Sequence, residues 1–302
     1  MTAAPSADIA PIPLGLAARD PAAASAALGA AFAETGFVVI ADHGIDAALI
    51  ARAEAAARTL FALPEAEKAA LVVPGGGGQR GLTPFGREAA KGAARADLKE
   101  FWHVGREGDP ALPPNVWPAL ADFRATTLAL YAALEATGLR ILRPIARHLG
   151  LPDDHFEPAV TGGNSILRLL HYPPVPAVAE GLRAEAHEDI NVITLLLGAE
   201  EAGLQLLRRD GAWASIDVPP SALVCNIGDM LQRYSGGRLP STTHRVVNPA
   251  PDRAAHARYS MPFFLHFRPD YVIESMPGGP RRWPPITADA YLRERLHDIR
   301  LL

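Results

Sequence analysis

The sequence AHEDINVITLLL occupies residues 186–197 and places a histidine and an aspartate directly before an apolar run. The run that starts at Val192 is rich in β-branched side chains, which predicts a buried strand. Residues two apart on a strand point to the same face, so we expect His187 and Asp189 to aim together while Glu188 points away. This stretch therefore predicts an imidazole and a carboxylate that converge where a loop enters a β-strand.

A second histidine suits the same site and lies 244 − 189 = 55 residues beyond the aspartate. His244 stands at the head of STTHRVV, residues 241–247, whose β-branched residues predict another strand. Two histidines and one carboxylate bind one face of a metal ion and leave up to three positions open, which is the ligand set of non-haem Fe(II) oxygenases. Zinc stays open as an alternative, because the same ligands also hold catalytic zinc. We expect His187, Asp189 and His244 to bind a metal.

A third pattern, RYSMPFFLHF, covers residues 258–267. Arg258 and Ser260 share one face of the predicted strand with the apolar Pro262 and Phe264. A guanidinium buried on such a face needs an anionic partner. A carboxylate ligand would accept a bidentate pair from Arg258 and a further hydrogen bond from Ser260. A salt bridge to an acid of the protein itself is the alternative.

The predicted secondary structure places helices before strands. Helices are expected over 21–35, 46–62 and 118–150, the last one broken near Gly138, and a final helix over 288–302. Short apolar or alternating runs suggest strands over 165–171, 189–198, 203–208, 213–218, 222–227, 242–247 and 257–267. Regular short strands separated by turn residues indicate a sandwich or barrel. The expected fold class is mainly β with helices, a β core carrying an N-terminal helical layer.

Composition excludes several classes of function. Lys and Arg number 29 against 33 Asp and Glu, and the resulting net charge of −4 argues against a nucleic-acid partner. No apolar run approaches the roughly 20 residues of a membrane span, so we expect no membrane partner. The single cysteine, Cys225, excludes an internal disulfide and favours a reduced, cytoplasmic setting. A monomer is the default expectation.

These motifs resemble the 2-oxoglutarate- and Fe(II)-dependent oxygenases of the isopenicillin N synthase-like superfamily. The resemblance covers most of the chain, although Asp42 and Leu170 stand where relatives usually carry asparagine. Further matching positions are Gly36-Phe37, His43-Gly44-Ile45, Arg80-Gly81, Lys99-Glu100, Leu204-Gln205-Leu206, Trp213, Pro219, Asn226-Ile227-Gly228-Asp229 and Ser241-Thr242-Thr243. The resemblance implies a mostly helical N-terminal domain, residues 1–160. It also implies a distorted double-stranded β-helix (jelly roll) over residues 161–302.

The resemblance also implies an activity and its cofactors. Fe(II) would bind to the two histidines and the aspartate, with 2-oxoglutarate as co-substrate and O2 as oxidant. The far carboxylate of 2-oxoglutarate would meet Arg258 and Ser260, and Tyr172 would help to hold it. The implied reaction is hydroxylation or a related oxidation of a small molecule, with succinate and CO2 as co-products. Two alternatives stay open: an oxidase of the same fold that does not use 2-oxoglutarate, and a non-catalytic binding module.

The substrate pocket is expected beside the loop around residues 73–92, where four consecutive glycines would allow a lid. Arg80, Phe85, Arg87 and Phe101 are candidates for its lining. Arg168 can face into or away from the pocket on its predicted strand, and His103 is expected in a solvated or capping role. The sequence does not select a substrate.

Overall fold

The computed structural model describes residues 4–93, 95–175, 181–197, 203–250 and 253–302. The helices are α1 Leu16–Arg19, α2 Pro21–Thr35, α3 Ala47–Phe61, α4 Glu65–Ala69, α5 Phe123–His148, α6 Glu157–Val160, α7 Asp229–Tyr234 and α8 Ala288–Asp298. The strands are β1 Ile12–Pro13, β2 Phe37–Ala41, β3 Gly81–Thr83, β4 Glu100–Gly105, β5 Ile166–Tyr172, β6 Ala184–His187, β7 Ile193–Leu197, β8 Leu204–Leu207, β9 Trp213–Ser215, β10 Leu223–Ile227, β11 His244–Val246, β12 Arg258–Leu265, β13 Val272–Ile273 and β14 Ile286–Thr287.

Two sheets form the β core. The larger has eight strands in the order β1-β2-β10-β7-β12-β5-β4-β3, and the smaller has four in the order β6-β11-β8-β9. All neighbouring pairs in the two sheets are antiparallel apart from β1 and β2. Side chains of both sheets line one cavity, so the sheets face each other across it. This is the expected mainly β fold with helices.

Alternation along the strands of the large sheet separates its two faces. Leu195 and Phe263 belong to the core that the helices cover, whereas Leu196 and Pro262 border the cavity. Helix α5 packs on α2, α3 and this sheet. Within the described residues, no helix is long and apolar enough to cross a bilayer. The helical layer therefore buries one face of the sheet and leaves the other for the cavity.

The predicted break near Gly138 is wrong, because α5 runs on through it and through Pro144. A Cβ atom at position 138 would lie 3.0 Å from Cδ2 of Leu265. The glycine thus lets the helix approach β12 closely and does not end it.

The strand predictions differ from the structure near the centre of the chain. Strand β7 begins at Ile193, four residues later than predicted at 189, and residue 198 lies outside the described residues. The short strands β3, β4 and β6 were not predicted. In β4 the polar Glu100 and His103 obscure an element whose six residues are all buried.

Candidate metal and co-substrate site

The two histidines of the predicted metal site lie opposite each other in the small sheet. His187 ends β6, His244 begins β11, and the two residues are paired across the antiparallel strands. Their ring centroids are 4.4 Å apart. The Nε2 atoms lie 4.0 Å (His187) and 3.9 Å (His244) from carboxylate oxygens of Asp189. One ligand atom from each of the three residues therefore falls within 4.8 Å of the others.

The local explanation for this convergence differs from the predicted one. Asp189 does not lie on a strand with His187 but in the connection over residues 188–192 between β6 and β7. The pairing of β6 with β11 positions the histidines, and the connection turns the carboxylate toward them. The sequence pattern thus selected the right residues through a wrong local structure.

Backbone carbonyls set the tautomer of both imidazoles. Nδ1 of His187 lies 2.7 Å from the Glu185 carbonyl oxygen, and Nδ1 of His244 lies 3.1 Å from that of Thr242. A carbonyl only accepts, so each Nδ1 carries the hydrogen and each Nε2 keeps its lone pair for a ligand. Burial and the nearby His244 lower the pKa of His187 to about 4. His187 is therefore neutral at neutral pH, as a metal ligand must be.

The strands of the large sheet hold the aspartate. Its Oδ2 accepts hydrogen bonds from Oγ1 of Thr194 at 2.5 Å and from Nδ2 of Asn226 at 2.8 Å. Thr194 on β7 and Asn226 on β10 are paired in register. Burial alone would raise the pKa of Asp189, but the two histidines and these hydrogen bonds lower it. The carboxylate is ionised, with Oδ1 available to a metal.

Neither supporting residue was given a role from the sequence. Asn226 interrupts the apolar run LVCNI at residues 223–227, and such a polar residue in a buried strand was a usable signal. Thr194 gave no signal of this kind, because threonine is common in strands.

Arg258 is buried without a partner for most of its donors. It is 1% exposed, and its Nε and Nη2 make no hydrogen bond within the described residues. No described carboxylate pairs with it, which removes the alternative of an internal salt bridge. The Arg258 Cζ lies 5.2 Å from the centroid of the Tyr172 ring, its register partner on β5. Ser260, two residues along β12, is 2% exposed. The three predicted co-substrate residues thus come together around an unpaired cation.

A cavity of about 380 Å³ joins these groups and is bordered by all six predicted site residues. None of Arg80, Phe85, Arg87 and Phe101 lines it, although Gln79 and residues 88–91 of the predicted lid loop do.

Further charged residues border the cavity beyond the metal site, on β4, β5 and the loop before β4. They are Glu88, Lys99, His103 and Arg168. The expectation for His103 is wrong, because this side chain is 2% exposed and accepts a hydrogen bond from Arg168 at 2.6 Å. Polar residues flank it in the sequence, and only the pairing of β4 with β5 shows that it is buried.

Two family models match the two halves of the chain. Residues 5–120 match the N-terminal region described as non-haem dioxygenase in morphine synthesis, and residues 163–267 match the 2OG-Fe(II) oxygenase superfamily. The chain is 32% identical over 281 residues to the 2-oxoglutarate-Fe(II) type oxidoreductase hxnY of Emericella nidulans, covering 85% of this chain and 79% of that one.

Solved structures agree over nearly the whole length. A 2OG-Fe(II) oxygenase family protein from Caulobacter crescentus is 47% identical with a TM-score of 0.89, covering 96% of this chain and 99% of the other. A full-length protein of Neurospora crassa, solved in complex with alpha-KG and thymine, is 28% identical with a TM-score of 0.88, covering 98% of this chain and 99% of the other.

These likenesses confirm the expected double-stranded β-helix fold and the expected cofactors, Fe(II) and 2-oxoglutarate with O2. They also decide between the enzyme and the two alternatives that the sequence left open. The chain belongs to the 2OG-Fe(II) oxygenase superfamily and is a 2-oxoglutarate-dependent Fe(II) dioxygenase that acts on a small molecule.

Proposed function

We propose that His187, Asp189 and His244 bind the iron and that 2-oxoglutarate places its far carboxylate on Arg258 and Ser260. The observation that carries this assignment is the buried Arg258, whose Nε and Nη2 have no partner in the described part of the chain. A guanidinium in that state is stabilised by an anion that fits its planar fork.

The donor set suits a divalent ion that must keep open positions. Two neutral imidazoles and one carboxylate offer three ligand atoms and a single negative charge, which leaves room and charge for a dianionic co-substrate. Bound iron and 2-oxoglutarate supply the oxidation itself, in which O2 is consumed, 2-oxoglutarate becomes succinate and CO2, and the substrate is oxidised.

The chain's own residues orient the reactants and keep water away from them. Thr194 and Asn226 hold the aspartate in one orientation, so that Oδ1 faces the histidines. Arg258 and Ser260 fix one end of the co-substrate, and Tyr172 packs beside the guanidinium. The apolar Leu196 and Leu170 line the space between.

Anaerobic absorbance tests the assignment. Fe(II) and 2-oxoglutarate added to the wild-type protein should give a weak visible charge-transfer band. Asp189→Ala should lose both iron binding and the band, while Glu157→Gln, a surface carboxylate variant, should behave as the wild type. An Asp189→Ala protein with normal iron content and succinate formation would refute the proposed metal ligands.

We also propose that residues 1–160 and 161–302 form two domains, that the protein is a cytoplasmic monomer, and that it has neither a nucleic-acid nor a membrane partner. The family models, which end at residue 120 and begin at 163, support the boundary. The net charge of −4 and the buried, reduced Cys225 support the rest. Light scattering behind size exclusion tests the oligomeric state, and a dimer mass would refute it.

A further inference from the structure

The inner face of the large sheet continues past the co-substrate residues. Along β12, Arg258 and Ser260 are followed on the same face by Pro262 and Phe264, and His266 lies just beyond the strand. Opposite Pro262, β5 contributes Arg168. This second wall, defined here as Arg168, Phe264 and His266, borders the cavity and takes no part in the proposed iron and 2-oxoglutarate contacts.

Arg168 is held rigidly, yet it keeps donors to spare. Its Nη1 and Nη2 each donate to a carboxylate oxygen of Glu88 at 3.2 Å, and its Nε donates to Nε2 of His103 at 2.6 Å. The guanidinium also lies 3.9 Å from the ring centroid of Phe101 and 5.0 Å from that of Phe264. A guanidinium has five N–H groups, so two of them have no partner among the described residues. Arg168 can therefore donate to a ligand without moving.

The charges around Arg168 already balance. Lys99 lies 2.6 Å from the carboxylates of both Glu88 and Asp97, and Arg168 lies 3.2 Å from Glu88. Burial alone would raise the pKa of Glu88, but Arg168 and Lys99 hold it far below its usual range. Two cations thus face two acids, a sum of 2 − 2 = 0. The half-buried Glu188 also borders the cavity and accepts a hydrogen bond from Thr243.

The other cations of the cavity are paired as well. Lys91 lies 2.7 Å from Asp298, and Arg295 lies 3.1 Å from Asp298 and 3.5 Å from Asp229. Within the described ranges, Arg258 is thus the one cation bordering the cavity that lacks a carboxylate, and 2-oxoglutarate claims it. A second acid in the cavity would be buried without a counter-charge, which is strongly unfavourable.

His266 supplies the opposite kind of group. Its Nδ1 lies 3.1 Å from the carbonyl oxygen of Phe264, so Nδ1 carries the hydrogen and Nε2 accepts. Burial lowers the pKa of His266 to about 4, which keeps the ring neutral. No described residue donates to Nε2. The second wall therefore offers donors at Arg168 and an acceptor at His266, with the Phe264 ring between them.

We propose that the primary substrate is an uncharged molecule with an amide-type group, which accepts a hydrogen bond from Arg168 and donates one to Nε2 of His266. This inference deepens the proposed function and rests on it. Phe264 offers a planar group a face to stack on. Acids and amines of the same shape are excluded by charge, and Arg168 and His266 set the specificity.

Isosteric probes test the charge preference directly. Benzamide, benzoate and benzamidine share one shape, as do indole-3-acetamide, indole-3-acetate and tryptamine. Each is titrated anaerobically into the wild-type protein loaded with Fe(II) and 2-oxoglutarate, and its dissociation constant is read from the change in the visible band. At least one amide should bind about tenfold or more tightly than both of its charged partners. An acid or amine that binds more tightly than its amide, or no binding by any probe at millimolar concentration, overturns the inference.

Two variants separate recognition from a merely structural role. Glu88→Gln keeps the shape but leaves Arg168 with a free charge, so the preference should move toward the acid. Arg168→Met should weaken amide binding about tenfold or more, and the surface variants Glu157→Gln and Arg143→Met serve as their controls. An unchanged preference in a folded Glu88→Gln protein contradicts the charge argument. Failure of the visible band to form in the wild type would instead refute the proposed function itself.

Discussion

Replacing Arg258 by methionine should have opposite effects on co-substrate binding and on the stability of the empty protein. The guanidinium is 1% exposed, and its Nε and Nη2 are unpaired within the described residues. Methionine fills similar space without a charge and without unsatisfied donors. Removing an unsatisfied buried polar group relieves a penalty of about 1–3 kcal/mol. Without ligands, the Arg258→Met protein should therefore be as stable as the wild type or more stable.

The loss of 2-oxoglutarate affinity should be large. Removing one partner of a buried, hydrogen-bonded ion pair costs about 3–5 kcal/mol. At 1.4 kcal/mol per factor of ten, this corresponds to a dissociation constant raised by about 100- to 4,000-fold. Arg258→Lys keeps the charge and loses the planar fork, so its loss should be smaller, about 10- to 100-fold.

Two measurements check this prediction together. Anaerobic titration of the iron-loaded protein with 2-oxoglutarate gives the dissociation constant, and chemical denaturation without ligands gives the free energy of unfolding. Arg143→Met, on an exposed arginine, is the control for both. Arg258→Met that binds 2-oxoglutarate as the wild type does, or that loses about 2 kcal/mol or more of ligand-free stability, would refute the reasoning.

Three further changes probe the surroundings of the site. Thr194→Val removes one of the two donors to Oδ2 of Asp189, and iron affinity in a chelator competition should fall by about 10- to 100-fold. Between pH 6.5 and about 4, His266 is protonated in the unfolded chain but neutral in the fold, so unfolding takes up a proton. Wild-type stability should therefore fall by about 3 kcal/mol as the pH drops through that window, and His266→Gln should lose less in denaturation at both pH values. Gly228→Ala would place a Cβ 2.2 Å from the Asn191 carbonyl oxygen, which should cost about 1–3 kcal/mol of unfolding free energy and shift the connection that carries the aspartate.

Each of these three variants has a matched control in the same chain. Thr161→Val and His297→Gln change residues of the same types away from the site, and Gly15→Ala adds a Cβ whose nearest neighbour is 4.0 Å away. Equal effects in a variant and its control would remove the argument for that site residue.

The sequence predicted the composition of the site better than its geometry. His187, Asp189, His244 and Arg258 were identifiable because few residue types bind metals or anions, and because each stands at the edge of an apolar run. That Asp189 lies off the strand was not predictable, since a short polar connection and a strand end have the same composition. The pairing of β6 with β11, which sets the distance between the histidines, depends on contacts across 244 − 187 = 57 residues.

The second wall was missed for a different reason. Glu88, Lys99, His103 and Arg168 look like ordinary surface residues when read along the chain. They are buried because they pair with one another across two strands and a loop, and mutual charge compensation has no local signature. Gly138 shows the same limit for the helical layer, since a glycine that permits close packing on Leu265 is indistinguishable in the sequence from one that ends a helix.

Anomalous diffraction at the iron edge, from crystals grown without oxygen in Fe(II) and 2-oxoglutarate, is the most direct test of the central assignment. We expect one peak within bonding distance of Nε2 of His187, Nε2 of His244 and Oδ1 of Asp189, with the far carboxylate of 2-oxoglutarate on the Arg258 guanidinium. A peak at any other set of ligands, or an Arg258 side chain that pairs with an acid of the protein in that map, would contradict it.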